Sequence, residues 1–336
     1  MKRYIAKLLL WSLVAGGTSL GLLTAIDHSF IPGPKKMFLA EKAPKDIDLL
    51  IIGSSRAEFV IDPHLFNEEF TVYNFAMAGH GLPSNYLLLK LMIEKYGFKV
   101  GQIVLSTDEL NFNGSKGFSR KFRDDFFIDE MDDPEVYEAY QKYRGKVFSS
   151  VLKHLPQTST VIYSDIRKTL RNLPFMTRHL LERSKAEYEK ELNVFASTKG
   201  YSPLFQKSYI KDNNKKEKYV IEPDDLEYFN KLAALCKKHN IQLSLFRAPM
   251  LHCNNYQSEE FDSFISAFTR ENNIPFFDYK CSYQLADQFY DATHPTDTIS
   301  QRVSMDLSNK LQPALAELKK KNQTITSKPA FITMLQ

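Results

Sequence analysis

The chain has 336 residues, 43% hydrophobic and 25% charged, an ordinary globular balance that can bury a sizeable core. Its formal charge of +4 owes much to Lys2, Arg3 and Lys7 at one end and Lys319, Lys320 and Lys321 at the other. The body is therefore near neutral, which argues against a nucleic-acid partner. Cys236, Cys253 and Cys281 show no paired ligand spacing, so they define neither a zinc site nor a disulfide framework. A single bridge outside the cytoplasm fits the count, with its partners unassigned.

No charged residue occurs from 8 to 26, and Lys2, Arg3 and Lys7 precede the run. That length and flank predict one N-terminal transmembrane helix, an anchor over 1–27 with the rest of the chain extracytoplasmic, periplasmic or at the cell surface. A cleaved signal peptide competes with this reading, although the small-x-small pattern near residues 23–27 is poor. Residues 28–46, with Pro32, Pro34 and Pro44, read as a linker.

The first strand is predicted at 47–53, where Leu49-Leu50-Ile51-Ile52 leads into Gly53-Ser54-Ser55 and a short helix. Further strands are expected at 72–76, 102–106, 241–246 and 274–278. Helices are expected at 84–96, 224–239, 261–271 and 300–311. This alternation predicts an α/β fold, a three-layer α/β/α arrangement around a five-stranded, mostly parallel sheet. Strands vanish between about 115 and 215, where a helical insertion is expected, with helices at 134–146, 161–171 and 178–194. One domain thus spans 47–318, and the tail 319–336 reads as disordered.

Ser55 would sit at a helix N-terminus, where unpaired backbone N–H groups favour negative charge beside its oxygen. An N-cap serine is the plainer alternative. Downstream, Asp291-Ala292-Thr293-His294 places an acid three residues before a histidine, an arrangement able to orient an imidazole that takes a proton from a hydroxyl. In an open parallel sheet Ser55, Gly79, the 108–113 loop, Arg247 and His294 would all reach the carboxyl edge of the strands.

These residues resemble motif blocks of the SGNH/GDSL hydrolase superfamily. Gly53-Ser54-Ser55 stands for the first block, Tyr73-Asn74-Phe75-Ala76-Met77-Ala78-Gly79 for the second and Asp291-Ala292-Thr293-His294 for the last. The resemblance implies a catalytic Ser55, His294 and Asp291, with backbone N–H groups of Ser55 and Gly79 forming the oxyanion hole. The third-block asparagine is absent from Leu105-Ser106-Thr107-Asp108-Glu109-Leu110-Asn111, so Asn111, Thr107 or His80 stand as substitutes. Arg56 and Arg247 are candidate substrate-binding residues, each with a bracing role as alternative. Tyr201 and Tyr290 are candidates for stacking on sugars. No metal or cofactor is expected.

Within the superfamily, the anchor and the Gly-Ser-Ser motif look most like envelope proteins of alginate O-acetylation and teichoic acid D-alanylation. The implied function is a serine O-acyltransferase or acylesterase acting on a cell-envelope glycan, with an integral membrane acyltransferase as possible donor partner. The second reading is a non-catalytic binding or assembly protein on the same fold.

Overall fold

The computed structural model describes residues 35–112, 127, 130–144, 185–205, 217–218, 220–257 and 259–326. The expected anchor over 1–27, the helix at 161–171 and the last ten residues lie outside these. No helix among the described residues is long and apolar enough to cross a membrane.

Five strands form one parallel sheet: β1 (Asp46–Ile52), β2 (Val72–Asn74), β3 (Lys99–Ser106), β4 (Gln242–Arg247) and β5 (Phe276–Asp278), in the order β2-β1-β3-β4-β5. Central β1 and β3 read as continuous apolar runs because both faces are covered, as buried parallel strands require. Leu49, Ile51, Val104 and Phe246 face one layer, where they pack with Ile299, Val303, Leu307, Leu311 and Leu315. These belong to a closing helix that runs from Asp297 to Thr326. The alternate residues Leu50, Ile52, Ile103 and Leu105 are equally buried. On their side, the helix Leu82–Lys90, widening to a π-turn at Leu91–Lys95, packs on the helix Pro223–Lys238.

An aromatic cluster supports this second layer. Phe229 lies 5.4 Å from Phe112 and 4.8 Å from Phe268, on the helix Glu259–Asn272. Within Pro223–Lys238 the residues Tyr228, Phe229, Leu232, Leu235 and Cys236 are buried.

The structure departs from the sequence reading in two helices and supplies the cysteine pairing that was left unassigned. The closing helix does not stop at 311: it passes through Pro313 and ends at Thr326, so residues 319–326 are helical where disorder was expected. Leu311 and Leu315 are buried on either side of the proline, and that burial offsets the lost backbone hydrogen bond. Residues Lys35–Lys42 form a helix inside the expected linker. Cys253 and Cys281 form a disulfide with Cα atoms 5.5 Å apart, joining the loops after β4 and β5, while Cys236 is a buried free thiol.

The chain divides into two compact units, residues 1–38 with 123–194 and residues 39–122 with 195–336. The sheet and the site at its strand ends belong to the second. In the first, the helix Pro134–Arg144 is capped by Asp133, whose Oδ1 accepts from the N–H groups of Glu135 and Val136 at 3.0 and 3.2 Å.

Candidate active site

The turn after β1 requires glycine. Gly53 has φ +145°, and a Cβ there would lie 2.5 Å from that of Ser106 on β3. The tight crossing delivers Ser54 and Ser55 to the carboxyl edge of the sheet. Ser54 takes the N-cap role, its Oγ facing the Arg56 N–H at 3.4 Å. The capping alternative for Ser55 therefore falls to its neighbour. The helix that follows, Ser55–Glu58, is one turn long, so its dipole is small and the local backbone N–H groups carry the electrostatic role.

Ser55 Oγ lies 2.8 Å from His294 Nε2. On the other side of the ring, Nδ1 is 2.9 and 2.8 Å from the two oxygens of Asp291. The acid is held by its own loop: Oδ1 also accepts from the N–H groups of Thr293 and His294 at 2.8 and 2.9 Å and from the Thr293 hydroxyl at 3.0 Å. Partial burial works against its charge, but the His294 ring and the Thr293 donors outweigh it and depress the Asp291 pKa to about 2. An ionised carboxylate only accepts, so Nδ1 carries the proton and Nε2 is left to accept from the Ser55 hydroxyl. Phe59 stands edge-on to the imidazole with centroids 5.5 Å apart, fixing the ring plane.

A cavity of about 260 Å³ opens over the serine, lined by Ser55, Arg56, Gly79, His80, Leu110, Asn111 and His294 among others. Gly79 has φ +82°, which turns the loop after β2 across the cavity. The N–H groups of Ser55 and Gly79 make no hydrogen bond to another described group. Asn111 lines the same cavity, from the loop after β3.

Arg56 lines the cavity but is buried, 2% exposed, with Nη2 donating to the Ala248 carbonyl at 2.6 Å and Nη1 3.2 Å from Asp108. Arg247 is not among the residues lining it. Its guanidinium donates to both oxygens of Asp278, at 2.9 Å for Nε, and lies 2.5 and 3.5 Å from Asp262 and Glu109. Burial disfavours its charge, but these acids outweigh burial and raise its pKa. Tyr201 is buried rather than presented for stacking, and its hydroxyl donates to Asp297 at 2.6 Å. Thr107 is fully buried behind the site.

Two positioning residues escaped the sequence reading. Asn74 is fully buried, donating to the carbonyls of Ala57 and Ile61 at 2.9 and 2.8 Å and accepting from Ala76 N–H at 3.0 Å. It ties the helix that begins at Ser55 to the Gly79 loop. Glu58 accepts from Ala78 N–H at 2.6 Å and strengthens that tie. A lone amide in an apolar strand was the available signal for Asn74. Among the described residues no group of three or more His, Cys, Asp or Glu side chains is gathered as a metal site.

The fold and the site define an open parallel α/β protein with a serine, histidine and aspartate in hydrogen-bonded series at the strand ends. The chain matches no protein-family profile and no curated protein. Among solved structures it is similar to a candidate acylhydrolase from Bacteroides fragilis, at 12% sequence identity and a TM-score of 0.37, with 86% of this chain and 91% of that one covered.

Proposed function

We propose that the protein is a serine esterase or O-acyltransferase with Ser55 as nucleophile, His294 as general base and Asp291 as orienting acid. The observation that carries this reading is the unbroken series from Ser55 Oγ through both nitrogens of His294 to Asp291. In the reaction His294 Nε2 takes the Ser55 proton as Oγ bonds to the acyl carbon, and the carbonyl electron pair moves onto oxygen. The N–H groups of Ser55 and Gly79 receive that charge. The carbon–oxygen bond to the leaving alcohol then breaks, His294 returns the proton to it, and an acyl-enzyme remains. Water or an acceptor hydroxyl completes the cycle by the reverse steps.

The substrate in this proposal is an O-acyl group on a cell-envelope glycan, and the protein is membrane-anchored with its catalytic unit extracytoplasmic. Two observations support the compartment: the uncharged run over 8–26 behind a basic flank, and the Cys253–Cys281 bridge, since disulfides persist in oxidising environments. An integral membrane acyltransferase is the proposed acyl donor.

The test uses the full chain in detergent, treated with a fluorophosphonate and followed by intact mass. One adduct on wild type, absent from Ser55→Ala and His294→Ala, is the expected result. A folded wild type that takes no adduct would sink the enzyme and leave a glycan-binding protein. Acylated and free glycans with isotope-labelled water then separate hydrolysis from transfer.

A further inference from the structure

We infer that residues 248–253 are a positioning strap for the loop that carries Asp291 and His294, and that the Cys253–Cys281 bridge locks this strap so that His294 meets Ser55. The inference rests on the acyl-transfer reading above and concerns what keeps its base and nucleophile in register.

Ser55 and His294 are 239 residues apart in sequence and sit on separate loops at the strand ends. The loop that carries His294 is closed on itself. Tyr290 N–H donates to the His294 carbonyl at 2.8 Å, Thr296 N–H donates to the Gln288 carbonyl at 2.9 Å, and Phe289 pairs with Pro295 in an isolated antiparallel bridge. Asp291 is tied within the same loop by the N–H groups of Thr293 and His294. Acid and base therefore move as one unit, and the distance left to be set is the 2.8 Å from Nε2 to Ser55 Oγ. The closing helix gives one hold, where the Ser300 hydroxyl donates to the Phe59 carbonyl at 2.9 Å. A unit held on one side alone can swing, and a hydrogen bond of that length tolerates little swing.

The strap supplies the second hold. It leaves β4 at Ala248, whose carbonyl accepts from Nη2 of Arg56, the residue after the nucleophile, at 2.6 Å. Further along, Leu251 N–H donates to the Ala292 carbonyl at 3.0 Å, between Asp291 and His294. The strap thus spans from the serine's neighbour to the histidine's loop. Ala248, Met250 and Leu251 are fully buried. Residues 248–252 belong to no helix or strand, so no regular ladder fixes their path. Met250 is pinned instead at both backbone groups, its N–H donating to the Lys280 carbonyl at 3.0 Å and its carbonyl accepting from Gln284 Nε2 at 2.9 Å. The bridge then joins Cys253 to Cys281, next to Lys280, and holds the strap against the segment after β5.

The experiment uses the full chain in detergent, at a temperature where the reduced protein keeps its far-ultraviolet circular dichroism. Dithiothreitol passes two electrons and two protons to the bridge, closing its own ring disulfide and leaving Cys253 and Cys281 as thiols. Cys281 is exposed, so the bridge is open to the reagent. Hydrolysis of p-nitrophenyl acetate gives kcat and KM separately. Hydrogen exchange compares the Leu251 amide with that of Phe75, which donates to the Ile51 carbonyl. Reduction is expected to lower kcat at least about tenfold with KM within about twofold, because a misplaced base costs the transition state and not ground-state binding. Leu251 exchange should speed about tenfold while Phe75 stays unchanged, as local opening requires. Reoxidation should restore both, and Cys253→Ser/Cys281→Ser should behave as the reduced protein with or without reagent. Gln284→Leu keeps the bridge and should lose about three- to fivefold in kcat when oxidised and nothing further when reduced, since both changes act through the strap.

A reduced, folded protein whose kcat stays with that of the oxidised one overturns the proposal. Where reduction or the serine substitutions unfold the chain, oxidised Gln284→Leu decides, and an unchanged kcat there overturns it equally. An oxidised wild type with no serine reactivity refutes the acyl-transfer reading itself. In that case Leu251 exchange still decides the lock: protection unchanged on reduction shows that the bridge does not hold the strap.

Discussion

Gly53 and Ser106 touch across neighbouring strands so closely that a Cβ on the glycine would lie 2.5 Å from the serine's own. The approach lets β1 end in a sharp turn and aim Ser55 outward. Gly53→Ala should lower the unfolding free energy by about 3 kcal/mol, from overpacking together with a positive φ that L-residues avoid. Adding Ser106→Gly removes the steric part and not the backbone part, so about half should return. Urea denaturation measures both, and a Gly53→Ala loss under about 1 kcal/mol would contradict the account.

Asp291 holds His294 in one tautomer and stays ionised to about pH 2. Asp291→Asn should drop kcat by about four orders of magnitude while the protein still folds, because the amide favours the wrong tautomer. The acid also links stability to pH. Its folded pKa is depressed from 3.8, so its contribution is present above that value and is lost as pH falls toward 2. The stability gap between wild type and Asp291→Asn should therefore shrink from pH 5 downward in urea titrations. A gap that widens on acidification would show the sign to be wrong.

Cys253 and Cys281 are 28 residues apart in sequence. Closing a loop of that size should stabilise the fold by about 3–4 kcal/mol on the chain-entropy account. Dithiothreitol should lower the denaturation midpoint of wild type and leave the Cys253→Ser/Cys281→Ser variant unmoved. Alkylation of the native, unreduced protein should modify no cysteine, because burial pushes the Cys236 thiol up to about 12 and shields it. Two or three alkylated thiols would rule the bridge out.

Tyr201 donates to Asp297 at the start of the closing helix, and Leu204 O accepts from Asp297 N–H at 2.9 Å. The returning segment thus clamps the chain three residues beyond His294. Tyr201→Phe should cost about 1.5–3 kcal/mol, the range for a hydrogen bond to a charged group. Burial, with Asp297 adding to it, raises the phenol above its ordinary 10.0. The contribution is then complete below pH 10 and declines above it. Thermal unfolding of the pair between pH 7 and 11 checks this, and a gap unchanged up to pH 11 would argue against the bond.

The sequence by itself determined the elements whose signals are local. The apolar run Leu49 to Ile52 reads as a strand because parallel strands are buried on both faces, and Gly53-Ser54-Ser55 reads as a sharp turn because only small residues fit one. Asp291 and His294 were legible as a pair because three residues of spacing suffices to join them. Tertiary structure decided everything that depends on which distant groups meet. Arg56 and Arg247 look alike in sequence, yet one braces three loops at the cavity and the other lies in an acidic cluster away from it. Tyr201 pairs with Asp297, and Cys253 with Cys281 rather than Cys236. The closing helix runs through Pro313 because the sheet offers Leu311 and Leu315 a buried face, and such long-range burial leaves no mark in local periodicity.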